Sequence, residues 1–233
     1  CIILKYVVFL QHKIIMFNIN KYNEIKDFLK KSTDSCEIVA VSKNHPKEII
    51  LEAINSGVRI FGENRVLEAK SKFTDLKKEF RNIELHLTGP LQSNKVKEAI
   101  LLFDVFHTLD RKKIADEFSK YKDKLISKKI FIQVNTGKEE TKSGIYPHDL
   151  KKFLQYCINE AGLSIKGLMC IPPINDDPTK HFNLLKELAI ENKLSELSIG
   201  MSGDYELATK YNPSYIRIGT ILFGQRKNKW NKK

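Results

Sequence analysis

The chain has 233 residues, 42% of them hydrophobic, and a formal net charge of +12. That is enough apolar material for the full core of a single domain. The basic balance invites a nucleic-acid reading. However, the lysines (Lys70, Lys72, Lys77, Lys78, Lys112, Lys113) read as scattered over helical faces among Asp and Glu, with no RNP-like strand, zinc finger or helix-turn-helix pattern, so specific nucleic-acid binding is set aside.

Cys1 to Ile15 contains an apolar patch, Tyr6 to Leu10, too short for a membrane span and followed by no small-residue cleavage site. Met16 reads as the native start and residues 1–15 as an extension, with a helix over Asn20 to Lys31. Apolar β-type runs follow at 37–42, 58–61, 83–87, 104–108, 129–134, 165–170, 195–199 and 214–218. Amphipathic helical stretches lie between them at 46–54, 64–80, 94–101, 110–124, 147–160 and 178–192. Pro46 suits the first turn of its helix and Gly57 the stop. Eight strands alternating with helices imply parallel pairing and a single (β/α)8 TIM-type barrel over 16–226, with an open doubly wound sheet as the alternative. Lys227 to Lys233 reads as a frayed basic tail. Cys36, Cys157 and Cys170, with Cys1, form no C-x-x-C pair, and the histidines form no H-x-x-x-H pair. Neither a disulfide framework nor a metal site is suggested, and the cysteines read as reduced thiols in a cytoplasmic protein.

Lys43 ends the first apolar run, where α/β folds bind small molecules, and partial burial there suits an amine for carbonyl chemistry. After the seventh and eighth runs come Gly200-Met201-Ser202-Gly203-Asp204 and Gly219-Thr220, at the positions where such barrels often hold phosphate. Glycine lets backbone approach an anion closely, and Ser202 and Thr220 add hydroxyl donors. Arg217, inside the eighth run, needs a charge partner or a ligand acceptor. Phe61 to Asn64, His86 to Lys95, Gln133 to Asn135 and Gly167 to Pro172 also follow strand ends, and their polar groups read as lining one pocket.

The motifs Ala40 to Lys43, Phe61 to Asn64, His86 to Lys95, Asn135 to Gly144, Gly167 to Met169, Met201 to Asp204 and Arg217 to Gly224 occur in this order. Together they resemble the YggS/PROSC family of pyridoxal phosphate homeostasis proteins, over almost all of Met16 to Arg226. The resemblance implies the alanine racemase barrel without its second, β-rich domain. It also implies pyridoxal 5′-phosphate in Schiff-base linkage to Lys43. Ser202, Gly219 and Thr220 would contact the phosphate, Arg217 would face the pyridine nitrogen and Asn64 would lie close by. Leu67 stands where the family often has glutamine. An arginine at the ring nitrogen disfavours its protonation, and no partner tyrosine is supplied for racemisation. The resemblance therefore implies a non-catalytic monomer that buffers the cofactor or delivers it to apo-enzymes. A pyridoxal-dependent racemase-like enzyme is the alternative.

Overall fold

The computed structural model describes residues 16–225; the expected extension 1–15 and the tail 227–233 lie outside them. Helix α1 (Ile19–Ser32) starts at Asn18, whose side chain accepts the Lys21 N–H at 3.0 Å, and it buries Ile25 and Leu29. Strand and helix then alternate. The first half runs β1 (Glu37–Val41), α2 (Lys47–Asn55), β2 (Ile60–Glu63), α3 (Val66–Glu79), β3 (Glu84–Leu87), α4 (Val96–Leu102), β4 (Val105–Leu109) and the pair α5 (Lys112–Ser119) and α6 (Lys122–Leu125). The second half runs β5 (Lys129–Gln133), α7 (Leu150–Gln155), β6 (Ile165–Met169), α8 (Pro178–Glu191), β7 (Glu196–Met201), α9 (Tyr205–Ala208), β8 (Tyr215–Ile218) and α10 (Thr220–Phe223).

Each strand pairs in parallel with the next, and β8 returns to β1 with Glu37 opposite Tyr215 and Ala40 opposite Ile218, so the sheet closes into a barrel. The open-sheet alternative is excluded. Strand residues alternate between two faces. Those facing the helices, such as Ile38, Ala40, Phe61, Leu85, Phe106, Ile132, Leu197 and Ile216, belong to the large outer core. A small second cluster, Val39, Val105, Phe131, Met169 and Tyr215, fills the lumen. Among the described residues no helix is long and apolar enough to cross a membrane.

All eight expected strands form, with local differences: β7 runs on to Met201, and the stretch expected as a helix over 147–160 is α-helical only over Leu150–Gln155. The second strand lies at 60–63 rather than 58–61 because Glu63 continues the strand, its Oε1 bonded by Ser42 and Lys72 while its buried Oε2 has no hydrogen-bond partner among the described residues. The helix expected over 110–124 breaks at Tyr121, whose φ of −129° is not helical, and the turn lets Leu125 bury.

Candidate functional site

Parallel strands bring their C-terminal ends to one rim of the barrel. Val39 and Val41 point inward, and Lys43, partly buried, follows in the turn two residues past the end of β1, at the mouth. Both neighbours of Lys43 are anchored. Ser42 Oγ donates to Glu63 Oε1 at 2.7 Å, and Lys72 Nζ donates to the Ser42 carbonyl at 3.1 Å. The Asn44 N–H donates to Glu68 Oε1 at 2.5 Å, with Asn44 in the left-handed region at φ 64°. Lys72 ties the two acids together, 3.0 Å from Glu63 and 2.6 Å from Glu68. Lys72 is therefore buried at 7% exposure, correcting its reading as one of the scattered surface lysines. Burial is the main influence on the Glu63 carboxyl and pushes its pKa up, against the pull of Lys72 and Ser42. Burial also acts to raise Glu68, but its bonds from Lys72 and Asn44 outweigh it and hold that carboxyl below its ordinary value.

Lys43, Asn44, Asn64, Arg65 and Glu68 line a cleft of about 210 Å³, so the structure brings Lys43 and Asn64 together. Asn64 is held from below: Thr88 Oγ1 donates to its Oδ1 at 3.0 Å. Gly89 packs so closely that a Cβ there would lie 2.5 Å from the Asn64 carbonyl oxygen.

Ser202, Arg217, Gly219 and Thr220 are not part of that cleft's lining: Arg217 stands on β8, Ser202 just past the end of β7, and Gly219 and Thr220 just past the end of β8. Met201 is in register with Arg217, which sets Ser202 beside the end of β8. Thr220 and Gly203 are exposed, and Ser202 and Gly219 are partly so. A Cβ at Gly219 would sit 3.3 Å from the Val41 carbonyl, so glycine lets the end of β8 lie against β1 just below Lys43.

Arg217 is 5% exposed and hydrogen-bonded to neutral oxygens. Nη1 donates to Ser198 O and Oγ, both at 2.6 Å, and Nη2 to Cys170 O at 2.8 Å. Burial lowers its pKa from the ordinary arginine value. Of the charge partner or ligand acceptor expected for it, no ion-paired carboxylate is present among the described residues.

The single-pocket expectation for the other loops fails in two places. His86 is fully buried in the lumen, bonded to Glu84 and His107. Asn135 spends its amide closing its own loop, donating to Glu139 O and accepting the Glu139 N–H. Sequence reasoning missed Lys72, Glu84, His107 and Ser198; for the last three the available signal was a polar residue within an apolar strand, and Lys72 on α3 carried none. Cys36, Cys157 and Cys170 are free thiols, and the described residues contain no cluster able to hold a metal ion.

Comparison with known proteins agrees with this architecture. Residues 20–227 match the alanine racemase N-terminal domain family. A pyridoxal phosphate homeostasis protein of Aquifex aeolicus is 38% identical over 208 residues, covering 84% of this chain and 90% of the relative. The Escherichia coli K12 protein of that name is 34% identical over 206 residues, covering 84% and 88%. The solved structure of PipY from Synechococcus elongatus with PLP bound is 33% identical, with a TM-score of 0.77 over 88% of this chain and 99% of that one. Alanine racemase from Acinetobacter baumannii, at 15% identity, shares the fold with a TM-score of 0.70, over 90% of this chain but 62% of the racemase. The described barrel thus corresponds to only part of the racemase, and the chain belongs to the family of pyridoxal phosphate homeostasis proteins built on the alanine racemase N-terminal domain.

Proposed function

We propose that this protein binds pyridoxal 5′-phosphate at the C-terminal mouth of the barrel and holds it for intracellular supply rather than turning over an amino acid. The observation that carries the reading is Lys43, set at the mouth beside Asn64 with its main chain anchored on both sides. The rest of the rim fits the group. Ser202 and Thr220 offer hydroxyls, and the space over Gly203 is open within 4 Å of a built Cβ, which suits a phosphate. When bound, pyridoxal phosphate supplies an aldehyde open to an amine and a ring that withdraws electrons.

Lys43 presents that amine. Ser202, Gly219 and Thr220 would hold the phosphate, Asn64 would orient the ring, and Arg217 would face the ring nitrogen. A guanidinium only donates hydrogen bonds, so Arg217 there would leave that nitrogen without a proton and weaken the electron sink. Glu68, the cleft's carboxylate, is committed to Asn44 and Lys72 and is no free base for the opposite face of a substrate carbon. Both features favour holding over turnover. The free thiols of Cys36, Cys157 and Cys170 accord with a cytoplasmic setting, where the protein acts as a monomer supplying apo-enzymes.

The test is the absorbance spectrum of purified protein with added pyridoxal phosphate, before and after borohydride, with peptide mapping. A band fixed by reduction onto Lys43, lost in Lys43→Ala, together with no racemisation of alanine, is the expected result. Unchanged binding and spectrum in Lys43→Ala would overturn the assignment.

A further inference from the structure

The lumen holds an unbroken line of polar groups from one end of the barrel to the other. Glu84 starts β3 and so lies at the N-terminal end, away from the mouth. Its Oε1 is 2.6 Å from His86 Nε2. His86 Nδ1 is 2.8 Å from His107 Nε2, and His107 Nδ1 is 2.8 Å from Ser198 Oγ. Ser198 Oγ accepts from Arg217 Nη1 at 2.6 Å. Both histidines and Ser198 are fully buried.

With both rings neutral, the Glu84 end fixes the direction of every bond. Arginine can only donate and an ionised carboxylate can only accept, whereas a serine hydroxyl has one hydrogen and two acceptor positions. Ser198 accepts from Arg217 and gives its hydrogen to the unprotonated Nδ1 of His107. His107 then carries its proton on Nε2 and gives it to His86 Nδ1, and His86 gives its Nε2 proton to Glu84. Each group is satisfied and both rings are neutral. Burial favours that state: both pKa values lie below the ordinary histidine value, His107 well below, with His86 and Arg217 adding to the effect. Among the described residues, aromatic rings and an engaged lysine surround the two imidazoles. Phe131 stacks on His107 at 5.1 Å, Tyr215 meets both imidazoles edge-on, and Lys129 is engaged by Glu196 at 2.9 Å.

We propose that Glu84, His86, His107 and Ser198 are positioning residues for Arg217. They form a one-directional hydrogen-bond chain that orients its guanidinium at the mouth and ends on a carboxylate at the opposite end of the barrel. Asp204 acts on Arg217 through space but is not bonded to it, and a buried cation without a bonded carboxylate is costly; polarised neutral groups in series offset part of that cost. This rests on the reading that the cofactor ring sits against Arg217.

Nitrogen-15 NMR of the cofactor-free protein reads the histidine tautomers directly, independently of any cofactor. Both rings are expected as neutral Nε2–H forms; an Nδ1–H form on either overturns the chain. The positioning role is read in Ser198→Ala, with Ser198→Thr as the conservative control. Ser198→Ala is expected to weaken pyridoxal phosphate binding about threefold to tenfold, the size of one net hydrogen bond, and to shift the absorbance maximum of the loaded protein. Ser198→Thr is expected to restore both. Unchanged affinity and spectrum in Ser198→Ala overturn the positioning role. If the wild type binds no cofactor, the functional reading fails while the tautomer result stands by itself.

Discussion

The ammonium of Lys72 lies 3.1 Å from the main-chain oxygen of Ser42, the residue immediately before Lys43. Through Glu68 the same lysine also reaches the N–H of Asn44, the residue immediately after. One buried cation on α3 thus fixes both peptide flanks of the proposed reactive amine.

Lys72→Met removes that tie and leaves Glu63 buried at 0% side-chain exposure without its cation. Breaking a buried pair from one side costs about 3–5 kcal/mol, and a loss of that size is expected in urea unfolding. Pyridoxal phosphate titration of the folded variant should also show weaker binding, because Lys43 loses its anchored flanks.

Glu63 carries the opposite pH signature from Glu68. Its folded pKa is raised above the ordinary 4.5, so the native state binds the proton more tightly than the unfolded chain. Its contribution is therefore complete below pH 4.5 and declines as pH rises towards the folded pKa. Glu68, lowered from 4.5, contributes fully above that pH and loses its contribution as pH falls through its folded pKa. Glu63→Gln is expected to remove the decline above pH 4.5, seen as a flatter melting temperature against pH than in the wild type. Parallel profiles for the two proteins would contradict the assignment.

Gly89→Ala places a methyl group 2.5 Å from the carbonyl oxygen of Asn64 and 2.7 Å from its Cα. Backbone must move to relieve it, at about 1–3 kcal/mol as for other overpacked sites. Asn64 moves with it, so cofactor affinity should fall together with the urea midpoint.

Burial raises the pKa of Cys36, Cys157 and Cys170 to about 12. Thiolate is the reactive form, so alkylation of these residues at about pH 8 should be slow in native protein and fast in urea. Mass mapping of iodoacetamide adducts over time separates the two. Rapid native modification of Cys170, which is fully buried, would contradict the packing around it.

The eight strands were legible because each is a short apolar run followed by a helical period, and that alternation permits little besides parallel pairing. Lys43 and Arg217 were legible as charges placed at or inside such runs. The end of β2 was not, because Glu63 looks like a loop residue until Ser42 and Lys72 are seen beside it. Lys72 escaped for the same reason: one lysine among many, distinguished only by what folds around it. Glu84 and His86 are two apart and therefore share a face. That spacing could have shown a polar stripe on β3, but not that His107 and Ser198, from strands distant in sequence, extend it to Arg217.

The rings that fill the lumen also decide how a bound molecule leaves. His86, His107, Phe131 and Tyr215 pack there, His107 and Tyr215 each within 6 Å of the other three rings, and His86, His107 and Phe131 are fully buried. The barrel is stoppered, and a ligand seated at the rim has a single exit, the side by which it entered. A recipient must then either wait for spontaneous release or cover that exit itself. The two routes differ in kinetic order: the first gives a transfer rate independent of recipient concentration, the second a rate that climbs with it.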